Sequence, residues 1–261
     1  MVNPLFQRLT LLTGAEAAEA IQKSRVIVVG IGGVGSWCAE ALVRSGVSSI
    51  TLVDSDTVGI TDFNRQVQAL SVNMDRKKTE ALKERFDGIN PSCEVVSFPH
   101  FFSKESAGLL NLSEADYVID AIDTLESKLD LIETAAAAGK RFFSSMGMAW
   151  KFDPTQIRTA DIWETSGCPL ARLVRQGLKK RGFSGHFTVV YSAEKPSRRE
   201  KVSLSRNDGD AKNNTAAGRK KAVLGSAMPV TATAGMVLAS LVIRDICGKF
   251  PDSDGTGSDA S

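Results

Sequence analysis

Hydrophobic and polar residues follow, over the first part of the chain, the order typical of a parallel α/β protein. Short apolar runs rich in β-branched residues alternate with stretches whose apolar residues recur at helical spacing. The runs predict strands at residues 25–29, 50–53, 94–97, 117–119 and 141–144. The stretches between them predict helices at about residues 34–45, 76–89 and 125–138. We therefore expect an α/β fold with a doubly wound, mostly parallel sheet and helices on both faces.

The pattern weakens after Gly147, and fewer elements are predicted there. They are strands at residues 156–162 and 188–192 and a long apolar helix at residues 227–246. The longest apolar stretch within that helix is shorter than the ~20 residues that cross a membrane, which favours a buried helix. We expect one domain over residues 1–250, a mobile basic insertion at about 195–221, and a disordered tail over 251–261.

The composition is that of an ordinary globular protein, with 43% hydrophobic and 24% charged residues in a chain of 261. The four cysteines form no C-x-x-C pair, which argues against a disulfide framework and against a zinc site built from paired cysteines. The N-terminus lacks a basic region followed by an apolar core, so it does not read as a secretory signal. We expect a cytoplasmic protein without a membrane segment.

Charge is unevenly distributed along the chain, although the net charge is only +2. Residues 172–221 contain 14 Lys and Arg against 4 Asp and Glu, a charge of +10, so the other residues carry −8. Such asymmetry is typical of a surface that binds a polyanion such as RNA. A solvated loop with surplus lysine is the alternative, and the charge count alone leaves both open.

The stretch GIGGVGSW, residues 30–37, follows the first predicted strand and opens the first of the predicted helices. Gly30, Gly32 and Gly35 have the G-x-G-x-x-G spacing of a Rossmann-like nucleotide loop, whose backbone amides face a phosphate at the helix start. Asp54 closes the second strand, where a carboxylate accepts hydrogen bonds from a ribose. These features alone make NAD the default ligand.

The residues after Asp54 favour ATP over NAD. Asp56, Asn64 and Arg65 follow, and Lys78 begins the next helix in KTE. An arginine and a lysine that converge on one pocket suit a third phosphate, or the charge on a transferring phosphoryl group. The alternative for Arg65 and Lys78 is a pair of surface cations, and an NAD(P) oxidoreductase stays open on these residues alone.

Two further carboxylates, Asp120 and Asp123 in YVIDAIDT, follow the fourth predicted strand. They lie at the edge where open α/β sheets bind ligands, and carboxylate oxygens are ligands that Mg²⁺ prefers. The pair therefore predicts a magnesium site beside the nucleotide. The alternative for Asp120 is a helix N-cap.

The stretches VVGIGGVGSW, TLVDSDTV, NRQ, KTE and DAID resemble, in this order, the superfamily that activates carboxylates as acyl-adenylates. This superfamily includes activating enzymes for ubiquitin and for bacterial sulfur-carrier proteins, and the resemblance covers roughly residues 5–165. It implies contacts with ATP or its metal for Gly33, Asp54, Arg65, Lys78 and Asp123. Arg8, in LFQRLTLLTG, matches an arginine that reaches the phosphates of the neighbouring subunit, which implies a homodimer.

The second half is similar to the branch of this superfamily that acts on tRNA, the threonylcarbamoyladenosine dehydratases. The similarity is carried by DPTQIRTADI, VVYSAE and GSAMPVTATAGMVLAS. It implies an enzyme that adenylates the carboxylate of threonylcarbamoyladenosine and closes a ring, with tRNA on residues 172–221. The alternative is adenylation of the C-terminus of a ubiquitin-like sulfur-carrier protein, with a sulfur-transfer or carrier protein as partner. Enzymes of that kind usually carry paired C-x-x-C motifs, and this chain has none.

Two features bear on the acceptor side of the predicted site. Cys168, in TSGCPLARLV, lies in a candidate active-site loop, and some relatives pass an acyl group to a cysteine; the alternative is a small buried apolar residue. Residues 148–150, Met-Ala-Trp, stand where relatives often have small residues, so they affect the shape of the acceptor pocket. Trp150 is either a core residue or a platform that stacks on a base.

Overall fold

The computed structural model describes residues 3–196 and 224–248. Its strands are β1 (Arg25–Val29), β2 (Ser49–Val53), β3 (Glu94–Phe98), β4 (Tyr117–Asp120), β5 (Arg141–Ser145), β6 (Ile157–Asp161) and β7 (Thr188–Ser192). They form a seven-stranded sheet in the order β3-β2-β1-β4-β5-β7-β6. Neighbouring strands are parallel except β6, which pairs antiparallel with β7 at the sheet edge. The predicted mostly parallel sheet is confirmed.

Eight helices accompany the strands in the described part of the chain. They are α1 (Gln7–Thr13), α2 (Ala15–Lys23), α3 (Gly35–Arg44), α4 (Lys78–Asp87), α5 (Lys104–Ala107), α6 (Leu125–Ala137), α7 (Pro169–Lys180) and α8 (Met228–Ile246). Apolar residues of α2, α3, α4 and α8 share one buried cluster on one face of the sheet. Residues of α5 and α6 pack on the other face, where α6 also meets α7. Helices therefore cover both faces, as predicted.

The alternation of side chains along β1 explains why both faces are covered. Val26 and Val28 belong to the cluster with α3 and α8, whereas Ile27 and Val29 belong to the cluster with α5 and α6. All four side chains are buried because successive residues of a strand point to opposite faces of the sheet. A strand buried on both sides needs a continuous apolar run, which is what the sequence has there.

Helix α8 is a core element, as its apolar sequence predicted. It packs mainly against α3, and the backbone of the two helices comes so close that a Cβ on Gly235 would lie 2.5 Å from the carbonyl oxygen of Val34. Its length and hydropathy would also suit a membrane span, the one such helix among the described residues. Nine of its residues are buried against the rest of the protein, which is the behaviour of a core helix.

Four of the helices, α1, α2, α5 and α7, were not predicted from the sequence. In α7, the buried positions Ala171, Val174 and Leu178 have helical spacing, but Lys and Arg occupy four of the other nine positions and obscure the pattern. Gly14, with φ of 87°, breaks the N-terminal apolar stretch into the short helices α1 and α2. Local patterns this short rarely identify a helix by themselves.

Two of the predicted segments fall largely where the structure is not described. The predicted insertion at 195–221 lies outside the described residues except for residues 195 and 196, and the predicted tail at 251–261 lies outside them entirely. The described part of the basic stretch comprises α7, the loop after it, β7 and the residues up to 196.

Candidate nucleotide site

The glycine loop between β1 and α3 is shaped by two glycines that no other residue could replace. Gly30 has φ of 83°, and a Cβ on it would lie 2.8 Å from the carbonyl oxygen of Ala121. A Cβ on Gly35 would lie 1.8 Å from the carbonyl oxygen of Gly30. The loop therefore turns tightly and touches the loop that follows β4.

The other two glycines of the loop face the segment that carries Arg65. A Cβ on Gly33 would lie 3.2 Å from the aliphatic stem of Arg65 and 3.4 Å from Thr231 of α8. Around Gly32 the nearest atom is the side-chain nitrogen of Gln66, 4.0 Å from the position of a Cβ. The middle of the loop is therefore the more open part, and Arg65 borders it.

Asp54 lies at the end of β2, where its carboxylate holds two loops together. One oxygen accepts a hydrogen bond from the amide of Ile31 and the other from the amide of Asp56, each at 2.9 Å. Burial raises the pKa of Asp54 above its ordinary value, and the charge of Lys78 opposes this shift. The structure thus joins Asp54 to the glycine loop, and its predicted contact with a ribose stays a prediction.

Lys78 is buried at the start of α4 among carboxylates. Its Nζ lies 3.1 Å from Asp56 Oδ2 and 3.7 Å from Asp62 Oδ2. Burial by itself lowers the pKa of Lys78, but the charges of Asp54, Asp56 and Asp62 outweigh burial and raise it. The ammonium group is therefore held in its charged form.

Arg65 and Asn64 connect the glycine loop with the segment before α8. The Arg65 guanidinium donates to the carbonyl of Thr61 at 2.7 Å and lies 3.4 Å from Asp62 Oδ1. The side-chain amide of Asn64 donates to the carbonyl of Ser226 at 3.0 Å. Arg65 is about a quarter exposed and Asn64 is exposed, so both groups border open space next to Gly33.

Three residues that the sequence reasoning missed complete this cluster. Asp62 is buried and accepts from the side chain of Gln66 at 2.6 Å. Gln68 is fully buried and donates to the carbonyl of Ile31 at 2.9 Å, while its Oε1 has no partner in the described residues. The spacing of Asp62, three residues before Arg65, was the available signal for an ion pair.

The structure separates the two carboxylates that were predicted to share a metal ion. Asp120 is fully buried: Oδ2 accepts from Lys128 at 2.5 Å and from Ser144 at 2.6 Å, and Oδ1 accepts from the amide of Ile122 at 3.0 Å. Both of its oxygens are thus used inside the protein, which corrects its expected place as a metal ligand. Asp123 is exposed on the adjoining loop, and Thr124 Oγ1 lies 3.4 Å from it.

One protein carboxylate is compatible with a magnesium ion that also binds nucleotide phosphates, because Mg²⁺ usually takes one or two carboxylates there and keeps several waters. Asp123 is such a carboxylate: it is exposed, and it belongs to the loop whose Ala121 touches Gly30. Among the described residues, no group of three or more His, Cys, Asp or Glu side chains could enclose a metal by itself. A metal at this site would therefore depend on the nucleotide.

Arg8 is exposed on α1, and α1 packs against α2. It is not among the residues that contact the glycine loop, Asp54 or Lys78 within the described chain. Its predicted role requires a second subunit and stays a prediction.

A cleft lies at the start of α7. It has a volume of about 310 Å³ and is lined by Gly167, Cys168, Pro169, Arg172 and Arg175. Cys168 is itself buried, with its Sγ 3.9 Å from the carbonyl of Gly147 just after β5, so its packing is that of a small apolar residue.

Trp150 and Met148 differ in their surroundings. Met148 is buried in the main core cluster. Trp150 has φ of 61°, donates from its amide to the carbonyl of Gly225 at 2.9 Å, and would meet a Cβ on Gly225 at 2.7 Å. The indole therefore packs against Gly225, in the segment that leads into α8.

The parallel sheet and the glycine loop after β1 together define a Rossmann-like α/β protein of the nucleotide-binding class. The chain belongs to the ThiF family, whose model matches residues 6–257. It is 39% identical over 242 residues to the tRNA threonylcarbamoyladenosine dehydratase of Bacillus subtilis (strain 168), covering 92% of this chain and 94% of that protein.

Solved structures agree with this assignment. Crystal structures of the E. coli tRNA N6-threonylcarbamoyladenosine dehydratase, TcdA, in complex with AMP and with ATP each match with a TM-score of 0.80. Their identities are 33% and 32%, and each match covers 94% of both chains. The sulfur carrier protein adenylyltransferase of Thermus thermophilus is more distant, at 29% identity over 140 residues, 54% of this chain and 51% of that protein.

Proposed function

We propose that this protein is an ATP-dependent dehydratase that adenylates the carboxylate of threonylcarbamoyladenosine in tRNA and cyclises it. The observation that carries the proposal is the cluster of Lys78, Arg65 and the glycine loop at one sheet edge, in a chain similar over nearly its whole length to dehydratases of that name. A cluster of this kind suits the triphosphate of ATP better than the two phosphates of NAD.

The proposed reaction has two steps. The carboxylate attacks the α-phosphate of ATP and releases pyrophosphate, and Lys78 and Arg65 stabilise the charge that develops on the phosphates. A nitrogen or oxygen of the same substrate then attacks the acyl carbon and AMP leaves, so that the substrate loses the elements of water. The second step depends on positioning rather than on a protein nucleophile, which agrees with the buried packing of Cys168.

We further propose that Asp123 holds a Mg²⁺ ion together with the nucleotide phosphates. The ion would neutralise phosphate charge when bound. The exposure of Asp123 supports this role, and Gly30, Gly32, Gly33 and Gly35 would supply the backbone amides for the phosphates. Asp54 and Asp56 would face the ribose side, and Asn64 would lie beside Arg65.

The basic stretch 172–221 is the proposed tRNA surface, and α7 is its main described element. Arg172, Lys179 and Lys180 are exposed on this helix, whereas its apolar positions are buried. Arginine and lysine on a solvated helix face are suited to the phosphate backbone of RNA. The cleft at Cys168 and Arg172 lies beside β5 and would border the path of the substrate to the nucleotide.

We also propose a homodimer in which Arg8 of one subunit completes the nucleotide site of the other. Leu5, Leu11 and Leu12 are exposed on and beside α1, and an apolar surface of this kind favours association. Mixing an Arg8→Ala variant with a Lys78→Ala variant should restore part of the activity, because one hybrid site is then intact. No recovery, despite measured exchange of subunits, would contradict the shared site.

Residues 1–250 would form one adenylating domain, and the compartment would be the cytoplasm, where tRNA is modified. A sulfur-transfer or carrier protein would be an additional partner only by analogy with the distant adenylyltransferase. The family resemblance to that enzyme covers about half of the chain, which favours tRNA as the substrate.

Mass spectrometry of tRNA nucleosides tests the proposal directly. tRNA that contains threonylcarbamoyladenosine is incubated with the protein and ATP, and the expected product is lighter by the mass of one water, with AMP and pyrophosphate formed alongside. Unchanged tRNA, together with ATP–pyrophosphate exchange that a ubiquitin-like carrier stimulates, would instead support the sulfur-carrier adenylyltransferase. A thermal shift with NAD and none with ATP would support an oxidoreductase.

A further inference from the structure

The side chain of Lys128 has no exposed surface, which is rare for a lysine in a folded protein. It lies in the first turns of α6, and its Nζ donates to Asp120 Oδ2 at 2.5 Å, to the carbonyl of Ser145 at 3.0 Å and to Ser144 Oγ at 3.3 Å. All three N–H directions of the ammonium group are therefore used. The lysine joins the end of β4, the start of α6 and the end of β5.

Asp120, which Lys128 holds in place, in turn fixes the loop that follows β4. Its second oxygen accepts from the amide of Ile122, and the amide of Ala121 donates to the carbonyl of Val29 at the end of β1. The carbonyl of Ala121 lies against Gly30, the first glycine of the nucleotide loop. The loop of residues 121–123 is thus held on one side by Asp120 and on the other by the glycine loop.

Asp123 is at the exposed end of this short loop, three residues beyond Asp120. Its carboxylate can reach a metal ion on the nucleotide only if residues 121–123 keep their place against the glycine loop. Small displacements of a metal ligand matter, because the residues behind a ligand set its orientation.

We propose that Lys128, acting through Asp120, is a positioning residue that sets Asp123 for the metal–nucleotide complex. The inference rests on the proposed function in so far as Asp123 is the metal ligand. A lysine is suited to this task because its three donors can bind a carboxylate, a hydroxyl and a carbonyl at once. An apolar residue would fill the space without fixing the loop.

The test uses the double variant Asp120→Asn/Lys128→Met, which removes both charges of the pair and leaves no buried charge unpaired. ATP binding is measured by calorimetry in EDTA and in Mg²⁺, and ATP cleavage is measured with tRNA. We expect binding in EDTA to be unchanged, because the glycine loop and Lys78 are intact. The gain in affinity on adding Mg²⁺ and the value of kcat should each fall about 10- to 100-fold, while KM for tRNA stays near that of the parent.

The control is Glu40→Gln/Arg85→Met, which breaks another ion pair of a buried carboxylate, between α3 and α4, without touching residues 121–123. This control should lose stability but keep the gain from Mg²⁺. If the Asp120/Lys128 variant keeps the full gain, or if both variants lose it in proportion to their thermal stability, the pair is only structural and the inference is wrong.

The two proposals fail in different ways. A parent protein that cleaves ATP with tRNA but binds ATP equally well with and without Mg²⁺ would overturn the positioning role and leave the proposed function standing. A parent protein that does not act on tRNA, but whose Mg²⁺-dependent ATP binding the double variant loses, would overturn the proposed function and support the positioning role.

Discussion

The cation at the start of α4 is enclosed by the protein, whereas cations of α7 are open to water. Lys78 is buried and lies among Asp54, Asp56 and Asp62. Arg172 and Lys179 of α7 are exposed, and the Lys179 ammonium lies over the ring of Trp163, 5.9 Å from its centroid. The same type of charge is thus placed in two different dielectric surroundings.

Under the proposed function, the two arrangements suit two different anions, a nucleotide at Lys78 and tRNA at α7. An enclosed ammonium acts at short range in a medium of low polarity, where salt screens it little. Exposed cations act together over a long polyanion, and salt weakens each of them. Four predictions follow from this contrast.

Replacement of the enclosed cation should have the largest effect. Lys78→Ala should reduce AMP formation about 10²- to 10³-fold, since it removes a donor to charge that develops on the phosphates. Circular dichroism should show a folded protein. Lys83→Ala is the matched control, because Lys83 is exposed on the same helix and the variant should keep its activity. Turnover of Lys78→Ala at the parent rate would show that the site is assigned wrongly.

The second prediction concerns the fully buried ion pair of Lys128 and Asp120. Lys128→Met leaves the Asp120 carboxylate buried without its cation, so it should lower the free energy of unfolding by about 3–5 kcal/mol. Asp120→Asn/Lys128→Met should regain most of this loss. Urea unfolding of the three proteins measures both values. A single variant as stable as the double one would mean that the pair is more hydrated than its burial indicates.

The third measurement addresses the exposed cations of α7. Arg172→Glu/Lys179→Glu should weaken tRNA binding and reduce the dependence of log K on log salt by roughly 0.7 for each phosphate that the variant no longer neutralises. ATP affinity should not change, because Lys78 and the glycine loop are separate from α7. Lys23→Glu/Lys83→Glu, on the helices of the opposite face, is the control with an equal charge change. Equal tRNA affinity of both variants at low salt would identify α7 as a merely solvated surface.

The smallest expected effect concerns pH. Burial raises the pKa of Asp54, so the folded state holds its proton more tightly than the unfolded state does. The free energy of unfolding should therefore decrease as pH rises from the ordinary aspartate pKa through the raised one. Asp54→Asn removes this decrease, so the variant should gain stability over the parent across that range. Parallel stability curves for the two proteins would contradict a raised pKa.

Strands β1 to β5 and the glycine loop could be predicted from the sequence, because local residue patterns specify them. A strand buried on both faces needs an apolar run, and the tight turn after β1 needs glycine at 30 and 35. The resemblance of these motifs then carried the family assignment, which is confirmed.

What could not be predicted depends on contacts between distant parts of the chain. Asp120 has the sequence signature of a metal ligand, and only the approach of Lys128 and Ser144 shows that its oxygens are already used. The enclosure of Lys78 by Asp62 likewise depends on how residues 57–77 fold back on α4. Residue types and their spacing can be read from the sequence, but which side chains face one another in the fold cannot.

The close contact of α8 with the glycine loop affects how the protein is made. Thr231 lies against Gly33, and Gly235 allows the backbone of α8 to touch the first turn of α3. A ribosome synthesises the glycine loop early and α8 near the end of the described chain, so a nascent chain carries the loop without its backing for most of translation. We therefore expect a chain that ends before α8 to bind ATP more weakly, because its glycine loop lacks the support of Thr231.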